Sequence, residues 1–160
     1  MEVFDGFPKP SITQPVYLTI GNFDGVHRGH QMLVSELASA AHASGGLAGL
    51  LTFEPHPVAV LRPDLKVLRL TTNGERAELL AALGLDFVIV LPFTLETAAT
   101  PAAEFIATLT AHLPLRELWV GYDFALGKGR EGDIPFLRRL GAELGYTLRV
   151  ITPVAIEGQA

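Results

Sequence analysis

The sequence predicts an α/β fold, a parallel sheet with helices on both faces. Three observations carry this. Short runs rich in β-branched and aromatic residues alternate with stretches whose apolar residues recur at helical spacing. Several strand-like runs are apolar almost throughout, Asp86–Leu91 (DFVIVL) above all, as strands covered on both faces are. The 160 residues contain no repeat, low-complexity tract or linker, so the pattern belongs to one domain of ordinary size.

The first dozen residues are punctuated by proline and read as a lead-in arm. Val16–Ile20 is the first strand, closed by Gly21. In His30–Ser44, Leu33, Val34, Leu37, Ala40 and Ala41 stand at helical spacing, and Gly45–Gly46 supplies the stop. Leu47–Phe53 is the second strand, ended by Pro55 and Pro57. Thr72 and Glu75, in capping-box spacing, open a helix over Thr72–Leu83 that stops at Gly84. Asp86–Leu91 is the third strand, and Thr100 with Pro101 starts a helix running to about His112. Glu117–Gly121 is the fourth strand, Ile134–Leu144 a helix capped by Asp133, and Thr147–Val154 the fifth strand. Five strands alternating with helices define a doubly wound, Rossmann-like domain. Such sheets bind ligands beyond the carboxyl ends of their strands, so chemistry is sought after Ile20, Phe53, Leu91 and Val120.

Composition narrows the function classes. Twelve Lys+Arg against seventeen Asp+Glu leave a net charge of −5, whereas a dedicated nucleic-acid binder carries a basic footprint. A 49% hydrophobic share with 18% charged residues excludes a disordered chain. The absence of cysteine removes disulfides, thiol nucleophiles and thiolate metal sites, and suits a reducing cytoplasm. The start, MEVFDGFPKP, lacks a secretory pattern, and no apolar run approaches the roughly 20 residues of a membrane helix. A cytoplasmic protein with neither membrane nor nucleic acid as partner is expected.

The segment after the first strand is the richest in chemistry. Gly21-Asn22-Phe23-Asp24-Gly25-Val26-His27-Arg28-Gly29-His30 places three glycines where the chain turns, allowing close backbone approach to a ligand. It leads into a helix whose first amides and dipole favour an anion. His27 and His30, three apart, share a face once helical and can donate to a polyphosphate. Taken alone, the pair reads equally well as two surface histidines in a Gly-rich turn. The spacing matches neither the dinucleotide fingerprint nor the Walker A loop.

His27-Arg28-Gly29-His30 resembles the His-x-Gly-His signature of the nucleotidylyltransferase superfamily. The ten residues from Gly21 to His30 are similar to the motif of one branch, the bacterial FAD synthetases (FMN adenylyltransferases). Two further segments agree. Phe53-Glu54-Pro55-His56-Pro57, by itself a strand terminator, resembles the family's Phe-x-Pro-His-Pro element beside the flavin. Gly121-Tyr122-Asp123-Phe124-Ala125-Leu126-Gly127-Lys128-Gly129-Arg130-Glu131-Gly132-Asp133 is similar to the family's Gly-x-Asp-Phe-x-x-Gly-x-x-x-x-Gly-Asp loop. Ala125 stands where many members have Arg, leaving Lys128 and Arg130 as the substitute cations. Residues 115–149 hold six Lys+Arg and five Asp+Glu, against six and twelve elsewhere, which favours phosphates on this side.

The resemblance implies transfer of AMP from ATP to FMN, giving FAD and pyrophosphate, with Mg²⁺ held mainly by substrate phosphates. It assigns His27 and His30 to the polyphosphate and Asp24 to the same catalytic set, lining the phosphate side and suggested as a metal contact. Gly21, Asn22, Phe23, Gly25 and Gly29 would line the nucleotide side, and Asp123, Lys128 and Arg130 would close over the phosphates. Phe53, Pro55, His56 and Pro57 would border the flavin. In the family a Ser-Ser-Thr-x-x-Arg segment and usually a riboflavin kinase domain follow. This sequence ends at Ile156-Glu157-Gly158-Gln159-Ala160, so a fragment tethered in the full-length protein to a kinase domain is expected, with reduced activity of its own. The alternatives are another nucleotidylyltransferase of the superfamily and a flavin- or nucleotide-binding module without turnover.

Overall fold

Val16–Ile20 is buried at all five residues, and its alternate side chains enter two different cores. A computed structural model describes residues 1–8, 12–21, 28–54, 73–122 and 124–151, with the backbone alone described at 28–30 and 73–76. The elements run β1 (Glu2–Asp5), β2 (Val16–Ile20), α1 (Arg28–Ala43), β3 (Leu47–Glu54), α2 (Asn73–Ala82) and β4 (Phe87–Pro92). Then come α3 (Leu95–Ala98), α4 (Ala102–His112), β5 (Leu115–Gly121), a 3-10 turn at Lys128–Arg130, α5 (Ile134–Leu144) and β6 (Thr147–Ile151). The strands form one sheet in the order β1-β4-β3-β2-β5-β6, every pair parallel.

Successive residues of a strand point to opposite faces, so the two cores lie on opposite sides of the sheet. Val16, Leu18 and Ile20 of β2 pack with Leu51 and Phe53 of β3, Ile106 and Leu109 of α4, and Leu137 of α5. Tyr17 of β2 and Leu50 of β3 pack with Leu33, Val34 and Leu37 of α1 and Leu80 of α2. The runs that read as apolar throughout are apolar because helices cover both of their faces.

The sheet has six strands, not five. The stretch expected to be a lead-in arm contributes β1, which pairs with β4 from Glu2↔Phe87 to Asp5↔Val90. As an outer strand it needs no apolar run: Glu2, Val3 and Asp5 are exposed and Phe4 is half-buried. The helix expected from Thr100 begins at Ala102, after a separate short helix, α3, whose Thr94 and Thr97 cap each other reciprocally. β5 begins two residues earlier than expected, at Leu115. Thr72 of the expected capping box and residues 152–154 of the expected fifth strand lie outside the described residues. At α5 the expected cap is present, the Asp133 carboxylate accepting the Phe136 N–H at 3.1 Å. Among the described residues, no helix is long and apolar enough to cross a membrane.

Candidate active site

Because every strand runs the same way, Ile20, Glu54, Pro92, Gly121 and Ile151 end along one edge of the sheet. A cavity of about 350 Å³ opens at this edge, within the range of small-ligand sites. Phe53, near the end of β3, lines it and is only 8% exposed. Its ring meets Phe93 edge-on at 5.5 Å and Phe105 of α4 at 5.9 Å. The Phe93 N–H donates to Glu54 at 3.0 Å, holding the chain beyond β4 beside the end of β3. Thr97, Ala98 and Thr100 form a second wall, and Leu126, Gly127, Gly129 and Arg130 a third.

The third wall is a loop pinched at its neck. Leu126 and Gly132 exchange two backbone hydrogen bonds, at 3.0 and 2.8 Å. Between them the chain makes the 3-10 turn, with Arg130 in the left-handed region at φ 55°. Among the described residues it is the one non-glycine with positive φ, a conformation that costs energy and that surrounding contacts must impose. Lys128 and Arg130 are both exposed on this turn, and Arg130 lines the cavity.

The cavity gathers only part of what the sequence singled out. Phe53 and Arg130 line it, and Lys128 stands on the same loop. Gly21 directly follows β2, its N–H donating to the Leu51 carbonyl at 3.1 Å. Gly29 and His30 fall in the first turn of α1, which begins at Arg28, so that helix N-terminus follows the edge where β2 ends. Asn22, Phe23, Asp24, Gly25, His27, Pro55, His56, Pro57 and Asp123 lie outside the described residues. Sequence reasoning missed Phe93, Thr97, Thr100 and Phe105. The position of Phe93 just beyond the third expected strand could have drawn attention to it; Phe105 looks like any apolar residue of a core helix.

The family described as FAD synthetase matches residues 9–160 of this sequence. The chain belongs to the FAD synthetase family. It is 40% identical over 132 residues to the bifunctional riboflavin kinase/FMN adenylyltransferase of Escherichia coli K12, covering 82% of this chain and 42% of that protein. The FAD synthetase of Listeria monocytogenes is 37% identical over 125 residues, covering 77% of this chain and 50% of that protein. The chain thus spans half or less of these relatives' lengths. A solved structure described as a macrolide-efflux protein from Streptococcus pneumoniae superposes with a TM-score of 0.80 at 24% identity. It covers 96% of this chain and 51% of that one, a likeness of fold alone. The family match spans the three segments singled out at the ends of β2, β3 and β5.

Proposed function

We propose that this domain adenylylates FMN. An oxygen of the FMN phosphate attacks the α-phosphorus of ATP, the bond from that phosphorus to the β-phosphate bridge breaks, and FAD and pyrophosphate leave. The observation that carries this, in a chain of the FAD synthetase family, is the phenylalanine-lined cavity at the carboxyl edge of the sheet. A planar, largely apolar flavin ring needs aromatic walls that stack or meet it edge-on, and Phe53, Phe93 and Phe105 supply them. The sequence resemblance adds Pro55, His56 and Pro57 to the flavin's neighbours, the prolines restricting the backbone at His56 at low entropic cost.

The phosphates belong to the turn between β2 and α1. The free amides and dipole of the first turn of α1 attract them, and Gly29 lets backbone and nucleotide approach closely. His27 and His30 donate to the leaving pyrophosphate, where charge builds as the bond breaks. Gly21, Asn22, Phe23, Asp24 and Gly25 form the nucleotide side of the turn. Asp123, Lys128 and Arg130 close over the reactants from the loop after β5. Mg²⁺, when bound, would neutralise phosphate charge while keeping most of its water, so it would need no more than one carboxylate of the chain, a role we assign to Asp24. Most of the protein's task is to bring two reactants together in line.

A doubly wound, Rossmann-like winding belongs to the same proposal. It is supported by a strand order that runs outward from β2 to β4 and then from β5 to β6 on the other side. The names of relatives such as that of E. coli support tethering to a riboflavin kinase domain in the full-length protein. The cysteine-free sequence suits a cytoplasmic setting. A thermal-shift panel tests the substrate class, because a ligand that binds only the folded state raises the melting temperature. FMN and ATP should each raise it. Stabilisation by phosphopantetheine or choline phosphate, with none by FMN, would assign the domain to another nucleotidylyltransferase.

A further inference from the structure

Glu131 makes a bond that the site assignments above do not use. Helix α4 starts after Pro101, which offers no side-chain oxygen to the first amides, so the Ala102 N–H lacks a local cap. The Glu131 carboxylate reaches it from 29 residues further along the chain, at 2.9 Å. A carboxylate is the favourable partner there, since its charge opposes the positive end of the helix dipole. Two residues before Ala102, the Thr100 carbonyl accepts the Lys128 N–H at 3.0 Å. The loop between Leu126 and Gly132 therefore lies flat on the start of α4, tied by one backbone bond and one side-chain bond.

The fit is close. A Cβ on Gly127 would fall 2.8 Å from the Ala102 nitrogen, and one on Gly132 would fall 2.7 Å from the Ala102 Cβ. Ala102 is itself fully buried. Two walls of the cavity meet at this junction: Thr100 belongs to one, Gly127, Gly129 and Arg130 to the other. The gap between them depends on how the loop is held, and two backbone hydrogen bonds between Leu126 and Gly132 close the loop into a ring.

We propose that Glu131 is a positioning residue for the flavin, a strap from the loop after β5 to the N-terminus of α4 that fixes the width of the cavity. This rests on the cavity being the flavin site. The test is titration of FMN and of ATP separately into the parent chain and four variants. Glu131→Ala should weaken FMN about tenfold, the loss of one charge-assisted hydrogen bond, and weaken ATP by a smaller factor through Lys128 and Arg130 on the same loop. Glu131→Gln keeps an acceptor oxygen at the same reach and should stay within about threefold of the parent for FMN. Glu131→Asp keeps the charge but is one methylene short, and should behave like the alanine variant. The Gln and Asp pair decides the matter if Glu131→Ala does not fold. Unchanged FMN affinity in Glu131→Ala and Glu131→Asp, equal losses for both ligands, or rescue by Asp as complete as by Gln would overturn the proposal. Phe93→Ala separates the two levels. If it weakens FMN while Glu131→Ala does not, the strap is wrong and the flavin site stands. If neither weakens FMN, the flavin site itself is wrong and the strap falls with it.

Discussion

Phe53 serves two structures at once. It is a member of the core on the α4–α5 face and also the most buried of the three phenylalanines that line the cavity. His27 and His30, at the start of α1, are proposed to have a different duty, the charge on the departing pyrophosphate. The two groups should therefore separate cleanly on substitution. His27→Ala and His30→Ala should lower turnover on the order of 10²–10³-fold while FMN affinity stays near that of the parent. Phe53→Ala and His56→Ala should weaken FMN more than ATP in calorimetric titration. Equal losses of both ligands in all four variants would mean that the substitutions loosen the fold rather than a subsite. Phe53 was legible in the sequence because a Pro-His-Pro turn follows it, and Arg130 because glycines surround it. Phe93 and Phe105 were not, since nothing distinguishes an aromatic that faces a cavity from one that faces a core until the strands are placed side by side.

Elements were legible where packing makes a periodic demand on the sequence. All of the central strands and four helices satisfy that demand, and the sequence pattern marks them to within a few residues. β1 and α3 escape it: the first lies at an edge and pairs through backbone groups that any sequence has, and the second spans four residues with no buried side chain. The connection between α5 and β6 shows how a single side chain can hold two elements together. The Tyr146 hydroxyl, on the residue just before β6, donates to the Leu137 carbonyl of α5 at 2.7 Å. Burial pushes its phenol from 10.0 up to about 12. The folded state therefore holds this proton more tightly than the unfolded state does. Its contribution to stability is complete below pH 10.0 and is lost as the pH rises toward 12. Tyr146→Phe should cost about 1 kcal/mol below that window and flatten the alkaline fall in stability across it. Urea unfolding at a series of pH values measures both effects; parallel pH profiles for parent and variant would remove Tyr146 from the account.

At the scale of the whole molecule, parallel pairing does the organising. It sends the ends of β2, β3 and β5 to one edge, so segments separated by tens of residues in the sequence converge. The sequence showed which strands exist and which segments follow them. Their order in the sheet, β1-β4-β3-β2-β5-β6, depends on which helix covers which face and was not written in any one segment. The net charge of −5 is spread unevenly: residues 115–149 hold six Lys+Arg against five Asp+Glu, and of these cations Arg130 lines the cavity. What the converged segments are proposed to accomplish is a transfer of the adenylyl group and no other part of ATP. Incubating the protein with FMN and Mg²⁺, once with ATP labelled at the α-phosphate and once with ATP labelled at the γ-phosphate, tests that most directly. The α label should appear in FAD and the γ label in pyrophosphate, in equal amounts. FAD without the α label, γ label transferred to a flavin, or binding of both substrates with no labelled product would contradict adenylyl transfer by this domain.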